Sequence, residues 1–206
     1  MKALLAAPPD TQKGNRDRMI MILLYDTAIR IAEFLELKIS SLRLTSVPSI
    51  HIHGKDDKER SVSITDATVS HLKKYLRQFH PEMLPDQPLF YTKIKGSIAP
   101  MSPGNVSRII NKYADAIRSE HPNLPKHLHC HMFRRTRATV LYRNGVELEM
   151  ISVILGHSST ETTRIYATPS IEMLEEAMNT ANSTIPDETP KWEENEDELA
   201  RIYGLR

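Results

Sequence analysis

The sequence is short of cysteine, of long apolar runs and of net charge. Its 206 residues contain one cysteine, Cys130, which excludes a disulfide within the chain and fits a reducing compartment. The longest apolar run, residues 19–25, is far shorter than the roughly 20 residues that a membrane span needs. The apolar run at residues 3–7 is too short for a signal peptide. We therefore expect a cytoplasmic globular protein with no membrane partner.

The small net charge of +1 conceals an uneven distribution. Residues 186–206 hold seven acidic and three basic residues, which leaves 24 of the 27 basic and 19 of the 26 acidic residues in the body. The body therefore carries a net charge of +5 and the tail is acidic. A basic body with an acidic tail is compatible with a nucleic-acid partner, although the overall charge argues weakly against one.

Hydrophobic periodicity predicts a mainly helical α+β fold with one small three-stranded antiparallel sheet. Alternation in twos indicates the strands, and spacing of three and four indicates the helices. The predicted strands are 42–47, 49–54 and 60–64, and the predicted helices are 15–29, 30–39, 65–79, 102–120, 130–145 and 147–156. Residues 80–103 are rich in proline and glycine and are predicted to be mostly extended. We expect residues 1–12 to be a linker, 13–182 the globular domain and 183–206 an acidic tail with a short docking helix.

Two arginine-containing pairs stand out on the predicted helices. Arg30 and Glu33 are three residues apart, as are His131 and Arg134, so each pair shares a helix face. An arginine near a core face needs a carboxylate or a phosphate for its guanidinium. For either helix taken alone, a surface arginine or a structural ion pair is the favoured interpretation.

Two further residues, Lys55 and Tyr166, have both an ordinary and a chemical interpretation. Lys55 lies in the tight turn between two predicted strands, where a lysine is usually solvated but can also reach into a groove. Tyr166 follows His157 by nine residues on a polar, threonine-rich segment. Taken alone, Tyr166 is better explained by packing than by chemistry.

The segment His-Leu-His-Cys-His, residues 127–131, suggests a metal-dependent hydrolase as one alternative. No carboxylate or cysteine pair stands nearby at ligand spacing. Cys130 points away from its histidine neighbours in a strand or a helix, which also disfavours a Cys–His nucleophile. We predict no metal site and no cofactor.

Taken together and in this order, these fragments resemble the catalytic domain of the tyrosine recombinases, the phage integrase family. The resemblance covers roughly residues 13–178. The family's first arginine block resembles residues 25–42, its β-turn lysine the stretch 53–62 and its His-x-x-Arg pair the stretch 131–139. Its Leu-Gly-His block and its nucleophile nine residues later resemble 155–157 and Tyr166. The implied catalytic set is Arg30, Lys55, His131, Arg134, His157 and Tyr166.

The resemblance implies the recombinase fold and a site-specific DNA strand transfer that needs no metal or other cofactor. Tyr166 would form a 3′-phosphotyrosyl intermediate on double-stranded DNA, in the bacterial cytoplasm or nucleoid. Self-assembly into a tetrameric synapse on DNA is expected, with a monomer in free solution. Ala28 stands where the family usually has glycine, so the turn before Arg30 is expected to be tighter or shifted. A DNA-binding accessory domain that has lost catalysis is the alternative.

Overall fold

The chain is mainly helical and contains a small three-stranded antiparallel sheet. A computed structural model describes residues 1–54, 59–94, 96–157, 159–167, 169, 171–181 and 201. They fall into two compact units, Met1–Thr168 and Pro169–Arg206. In the first unit the described helices are α1 (Lys2–Ala6), α2 (Gln12–Thr27), α3 (Ile31–Leu35), α4 (Asp66–Phe79), α5 (Pro103–Ile117), α6 (Cys130–Arg143), α7 (Leu148–Leu155) and α8 (Glu161–Arg164). The second unit contains α9 (Ile171–Ala181).

The predicted three-stranded meander is confirmed. Strands β1 (Leu42–Arg43), β2 (Ser49–His53) and β3 (Glu59–Ser63) pair antiparallel in the order β1-β2-β3. Ile50 and Ile52 are buried on one face of β2, whereas His51 and His53 lie on the other. The strict alternation explains this arrangement, because successive side chains of a strand point to opposite faces.

Side-chain caps start the predicted helices where the sequence places them. The Thr65 hydroxyl accepts the amide of Thr68 at the start of α4 (3.3 Å). The Ser102 hydroxyl accepts the amide of Asn105 at the start of α5 (3.2 Å), and Pro103 occupies the first turn. Such caps satisfy amides that the helix itself leaves without partners.

Two apolar clusters form the interior of the first unit. The larger cluster surrounds α2, whose Met19, Ile20 and Leu23 are inaccessible to solvent or nearly so. The smaller cluster lies between the end of α2 and helices α6 and α7, and it consists of Ala28, Ala138, Ile151, Leu155 and Tyr166. Full burial of a methionine, isoleucine or leucine side chain stabilises the fold by about 1.5–3 kcal/mol. The second cluster positions the tyrosine that the sequence singles out.

The structure shortens the predicted helix 30–39 to Ile31–Leu35 and the predicted strand 42–47 to Leu42–Arg43, and it differs from the prediction in two further places. Residues 2–6 form helix α1, with Leu4 buried against the larger cluster, where a linker is expected. The proline-rich stretch contains a second hairpin, β4 (Tyr91–Ile94) with β5 (Ser97–Pro100). Pro100 is compatible with that strand because a two-stranded hairpin consists only of edges. The predicted docking helix of the tail lies outside the described residues, apart from Arg201.

Candidate active site

The turn after α2 places Arg30 at the start of α3. Ala28 ends α2 in the left-handed conformation (φ 52°, ψ 23°) and is fully buried. Glycine adopts this conformation freely, whereas an L-residue with a side chain is strained by roughly 1–2 kcal/mol. The turn therefore takes the shape that glycine favours, although alanine occupies it.

Glu33 ties two arginines together at one end of the site. Its carboxylate accepts hydrogen bonds from the Arg30 backbone amide (2.9 Å) and from the Arg30 guanidinium (3.1 Å). Arg60 on β3 donates two further bonds to it, at 3.0 and 2.8 Å. Burial opposes ionisation of Glu33, but these hydrogen bonds outweigh burial and hold its pKa below the ordinary value. Glu33 is therefore an anion that fixes both guanidinium groups.

Arg134 is buried at the junction of two helix ends. Its guanidinium donates to the carbonyl of Ala28 (2.9 Å) and to that of Leu155 (2.8 Å), at the carboxyl ends of α2 and α7. Helix carboxyl ends leave carbonyls without partners and carry partial negative charge. Burial, and then the charge of Arg30, lower the Arg134 pKa to about 10, so it stays protonated at neutral pH. Each terminal nitrogen bears two hydrogens, so one N–H on each is left for an anion.

His157 follows the left-handed Gly156 that ends α7. Its Nδ1 is 2.9 Å from the hydroxyl of Thr163, a fully buried residue of α8. The pKa of His157 is lowered to about 4. Burial is the largest cause, and the charges of Arg134 and Arg30 add to it. His157 is therefore a neutral imidazole at physiological pH.

Tyr166 lies against the same pocket. Its ring stacks on that of His157, with centroids 6.3 Å apart and planes inclined by 20°. The side chain is only 4% exposed and packs in the smaller apolar cluster. Within the part of the chain that the structure describes, its hydroxyl has no hydrogen-bond partner. Tyr166 therefore lies beside the imidazole of the residue that follows Gly156, whose carbonyl binds Arg30.

Gly156 lies close to the guanidinium groups of both Arg30 and Arg60. Its carbonyl accepts a hydrogen bond from the Arg30 guanidinium (3.0 Å). A Cβ added at Gly156 would lie 2.6 Å from Cζ of Arg60. The glycine therefore serves both the left-handed end of α7 and the close approach of a guanidinium.

The structure brings together five of the six predicted site residues. His131 lies one turn before Arg134 on α6 and is exposed. Burial, and then the charges of Arg134 and Arg135, lower its pKa, which favours the neutral imidazole. The sixth residue, Lys55, lies outside the described residues. Strand β2 ends before it and strand β3 begins after it.

The role of Arg60 was not identified from the sequence. The signal was the alternation of β3, which places Arg60 on the same face as the buried Val62. A charged residue at an inward strand position requires a partner, and Glu33 provides it. Arg137, three residues after Arg134 on α6, is paired with Asp26 (3.0 Å).

The histidines of residues 127–131 do not converge. Among the described residues, the only three potential metal ligands whose donor atoms lie within 4.8 Å of one another are His51, His53 and Glu59. The metal-hydrolase alternative therefore has no ligand set at residues 127–131. In the parts of the chain that the structure covers, no helix has the length and apolarity to cross a bilayer.

The family model of the phage integrases matches residues 1–173, which is most of the chain. The chain belongs to the phage integrase family. A tyrosine recombinase of Agathobacter rectalis is 39% identical over 164 residues, which are 78% of this chain and 51% of that protein. Tyrosine recombinase XerD of Staphylococcus aureus is 30% identical over 179 residues, 85% of this chain and 58% of that protein. This phage integrase family chain thus spans about half the length of the curated relatives it matches.

Solved structures of recombinases share the fold. The XerH site-specific recombinase bound to palindromic difH substrate, in a post-cleavage complex, has a TM-score of 0.70 and 26% identity. That similarity covers 88% of this chain and 51% of the XerH chain. The XerA recombinase has a TM-score of 0.68 and 28% identity, over 88% of this chain and 61% of that chain. The predicted fold, mainly helical with a three-stranded sheet, is confirmed.

Proposed function

We propose that this chain is the catalytic domain of a site-specific DNA recombinase, which cuts and rejoins double-stranded DNA through a 3′-phosphotyrosyl intermediate. The observation that carries the proposal is the stacking of Tyr166 on His157, beside Gly156 and Leu155, whose carbonyls bind the guanidinium groups of Arg30 and Arg134. The similarity to XerH bound to its DNA substrate supports DNA as the partner.

The site supplies the charge that phosphoryl transfer needs. A phosphodiester is anionic, and its transition state places more charge on the nonbridging oxygens. The N–H groups left on Arg134 and the exposed part of Arg30 would bind those oxygens. Glu33 neutralises part of the charge of Arg30 and Arg60, and an excess of positive charge remains. His157 would donate Nε2–H to a nonbridging oxygen, which requires the Thr163 hydroxyl to donate to Nδ1.

Each proton of the cleavage step has a donor and an acceptor. The Tyr166 hydroxyl oxygen attacks phosphorus while the bond from phosphorus to the 5′ oxygen breaks. Neutral His131 would accept the tyrosine proton, and Lys55 would protonate the departing 5′ oxygen. The phosphotyrosyl ester keeps the energy of the broken bond. A 5′-hydroxyl of another strand can therefore reverse the step without ATP.

Assembly on DNA forms part of the same proposal. Strand exchange joins ends from two duplexes, so several copies of the catalytic domain would meet in a synapse, which we propose to be tetrameric. The free chain is expected to be a monomer. The acidic tail is proposed either to dock on a neighbouring copy or to cover the basic body of its own chain.

A nicked suicide substrate tests the proposal. The nick releases the short strand after cleavage, so the covalent protein–DNA adduct accumulates and is detected in a denaturing gel. Candidate sites would include palindromic sequences of the kind bound by XerH. We expect an adduct in the presence of chelator that disappears in Tyr166→Phe. Tyr142→Phe is the matched control, because Tyr142 packs beside the same apolar cluster but has no role in the proposed chemistry.

The same assay separates the alternatives. An adduct that persists in Tyr166→Phe would contradict the assigned nucleophile. DNA binding without an adduct at any candidate site would indicate an accessory domain of the same fold. Strand cleavage that requires added metal would favour a metal-dependent hydrolase.

A further inference from the structure

The outer face of the β2–β3 hairpin carries a cluster that the proposed chemistry does not use. His51 and His53 alternate with two buried isoleucines on β2, so both imidazoles lie on the exposed face. Glu59 of β3 is the direct cross-strand partner of His53 and the diagonal neighbour of His51. The register of the sheet therefore brings three metal-ligating side chains together at the end of the hairpin.

We propose that His51, His53 and Glu59 form a binding site for a divalent transition-metal ion, with Zn²⁺ as the best match. Two imidazoles and a carboxylate are a common ligand set for zinc, in which water takes the fourth position. The donor atoms all lie within 4.8 Å of one another. The site lies on the outer face of the sheet, and no residue of the candidate active site belongs to it.

Two of the ligand separations are close to those around a tetrahedral ion. Nε2 of His51 is 3.3 Å from one carboxylate oxygen of Glu59, and Nδ1 of His53 is 3.0 Å from the other. Zinc bond lengths of about 2.0–2.1 Å at a tetrahedral angle separate neighbouring ligand atoms by about 3.3 Å. Only small rotations of exposed side chains are needed to admit the ion, because His53 and Glu59 are 66% and 53% exposed.

The hydrogen bonding of His51 suits a ligand. Its Nδ1 faces the Ser61 hydroxyl (3.4 Å), which leaves Nε2 towards Glu59. A metal-bound histidine usually has a partner at its other ring nitrogen, and that partner orients the ring. Exposed ion pairs contribute little to stability, so pairing with Glu59 alone does not account for two histidines in register.

A bound ion would hold β2 and β3 together at the end of the hairpin next to its turn. His53 and Glu59 are the last and first residues of the two strands, and the connection between them contains Lys55. The metal would therefore fix the separation of the two ends of this connection.

Zinc titration of the intact, chelator-stripped chain tests the site. Competition with a chromogenic chelator gives affinity and stoichiometry, and the visible spectrum of bound Co²⁺ reports tetrahedral geometry. We expect one equivalent of Zn²⁺ at micromolar affinity, weakened at least about tenfold in His53→Ala and in Glu59→Gln. His127→Ala is the matched control, because His127 is also exposed but lies outside the cluster. Zinc should also raise the melting temperature of the unsubstituted chain.

Two results would overturn the site: no stoichiometric binding at about 100 μM Zn²⁺, or binding that survives the double substitution of His51 and His53. His53 is exposed and His51 is half-buried, so we expect the substitutions to leave the fold intact, which circular dichroism of each variant checks. Zinc binding does not depend on the proposed recombination. Tyr166→Phe should abolish the DNA adduct while it retains the metal, so each proposal can fail without the other.

Discussion

The His157 imidazole is held neutral by its surroundings, and this has a measurable effect on stability. Burial and two guanidinium groups lower its pKa in the fold to about 4, against an ordinary value near 6.5. Between these values the unfolded chain binds the proton and the folded chain does not. The free energy of unfolding therefore falls as the pH drops through this window, and above it the contribution is fully present.

We predict that urea unfolding between pH 6.5 and 5 shows this slope, and that His157→Asn reduces it. Because His157 is partly exposed, its own share of the slope should stay below the one-proton limit of about 1.4 kcal/mol per pH unit, and His131 and His71, whose pKa values are also lowered, add to the slope in the same direction. Protonation of Glu33 also lowers the free energy of unfolding, but only at lower pH, because the Glu33 pKa lies below its ordinary value. Equal slopes in the two proteins would contradict the assignment.

The sequence was informative about single residues when their role was local. The predicted starts of α4 and α5 agree with the structure, in which Thr65 and Ser102 are the caps, because a cap depends on the three or four residues that follow it. Arg60 depends on Glu33, which is 27 residues away in the chain. No local pattern identifies that partner, although the inward position of Arg60 on its strand shows that it needs one.

At the scale of elements, the end of α7 and strand β3 meet at one glycine. Gly156 has a left-handed backbone (φ 63°), and the Arg60 guanidinium lies directly against its Cα. That guanidinium is held by two bonds to Glu33, so it cannot move aside without the loss of a largely buried ion pair. The end of one helix thus depends on a side chain from the sheet.

We predict that Gly156→Ala destabilises the fold more than Gly145→Ala does. Both glycines have positive φ, but a Cβ at Gly145 meets nothing within 4 Å, so the control reports backbone strain alone, about 1 kcal/mol. The clash with Arg60 should add roughly 1–3 kcal/mol. Urea unfolding measures both variants. In a double-mutant cycle, Arg60→Ala should cost less in the Gly156→Ala background. Equal losses at the two glycines would mean that Arg60 yields freely.

The elements themselves were largely predictable, with failures where tertiary contacts decide. Alternation and helical spacing identified the meander and the long helices. Helix α1 is five residues long and is stabilised by burial of Leu4 rather than by its own propensity, so its pattern is too short to detect. The β4–β5 hairpin was hidden by its glycine and proline content.

At the scale of the whole molecule, charge separates the body from the tail. The body carries +5 and residues 186–206 carry −4. If the tail covers the basic body, its removal will strengthen nonspecific binding to DNA and steepen the salt dependence, because more phosphate contacts release more counterions.

We predict that deletion of residues 186–206 tightens binding to nonspecific duplex DNA, measured by fluorescence anisotropy at several salt concentrations. The control keeps the length of the tail and replaces its five glutamates with glutamine. It should reproduce most of the effect if charge is the cause. Loss of multimers on DNA after deletion, without tighter binding, would favour docking on a neighbouring copy. No change in either quantity would exclude both roles.

The two backbone bonds of Arg134 also determine which inactive variants are useful. This guanidinium closes the ends of α2 and α7, so any substitution that removes its charge also releases two buried carbonyls. A loss of activity at Arg134 will therefore mix chemistry with local unfolding. Tyr166→Phe removes only a hydroxyl that has no partner in the described part of the chain. Of the two, it is the better variant for trapping an uncleaved complex with DNA.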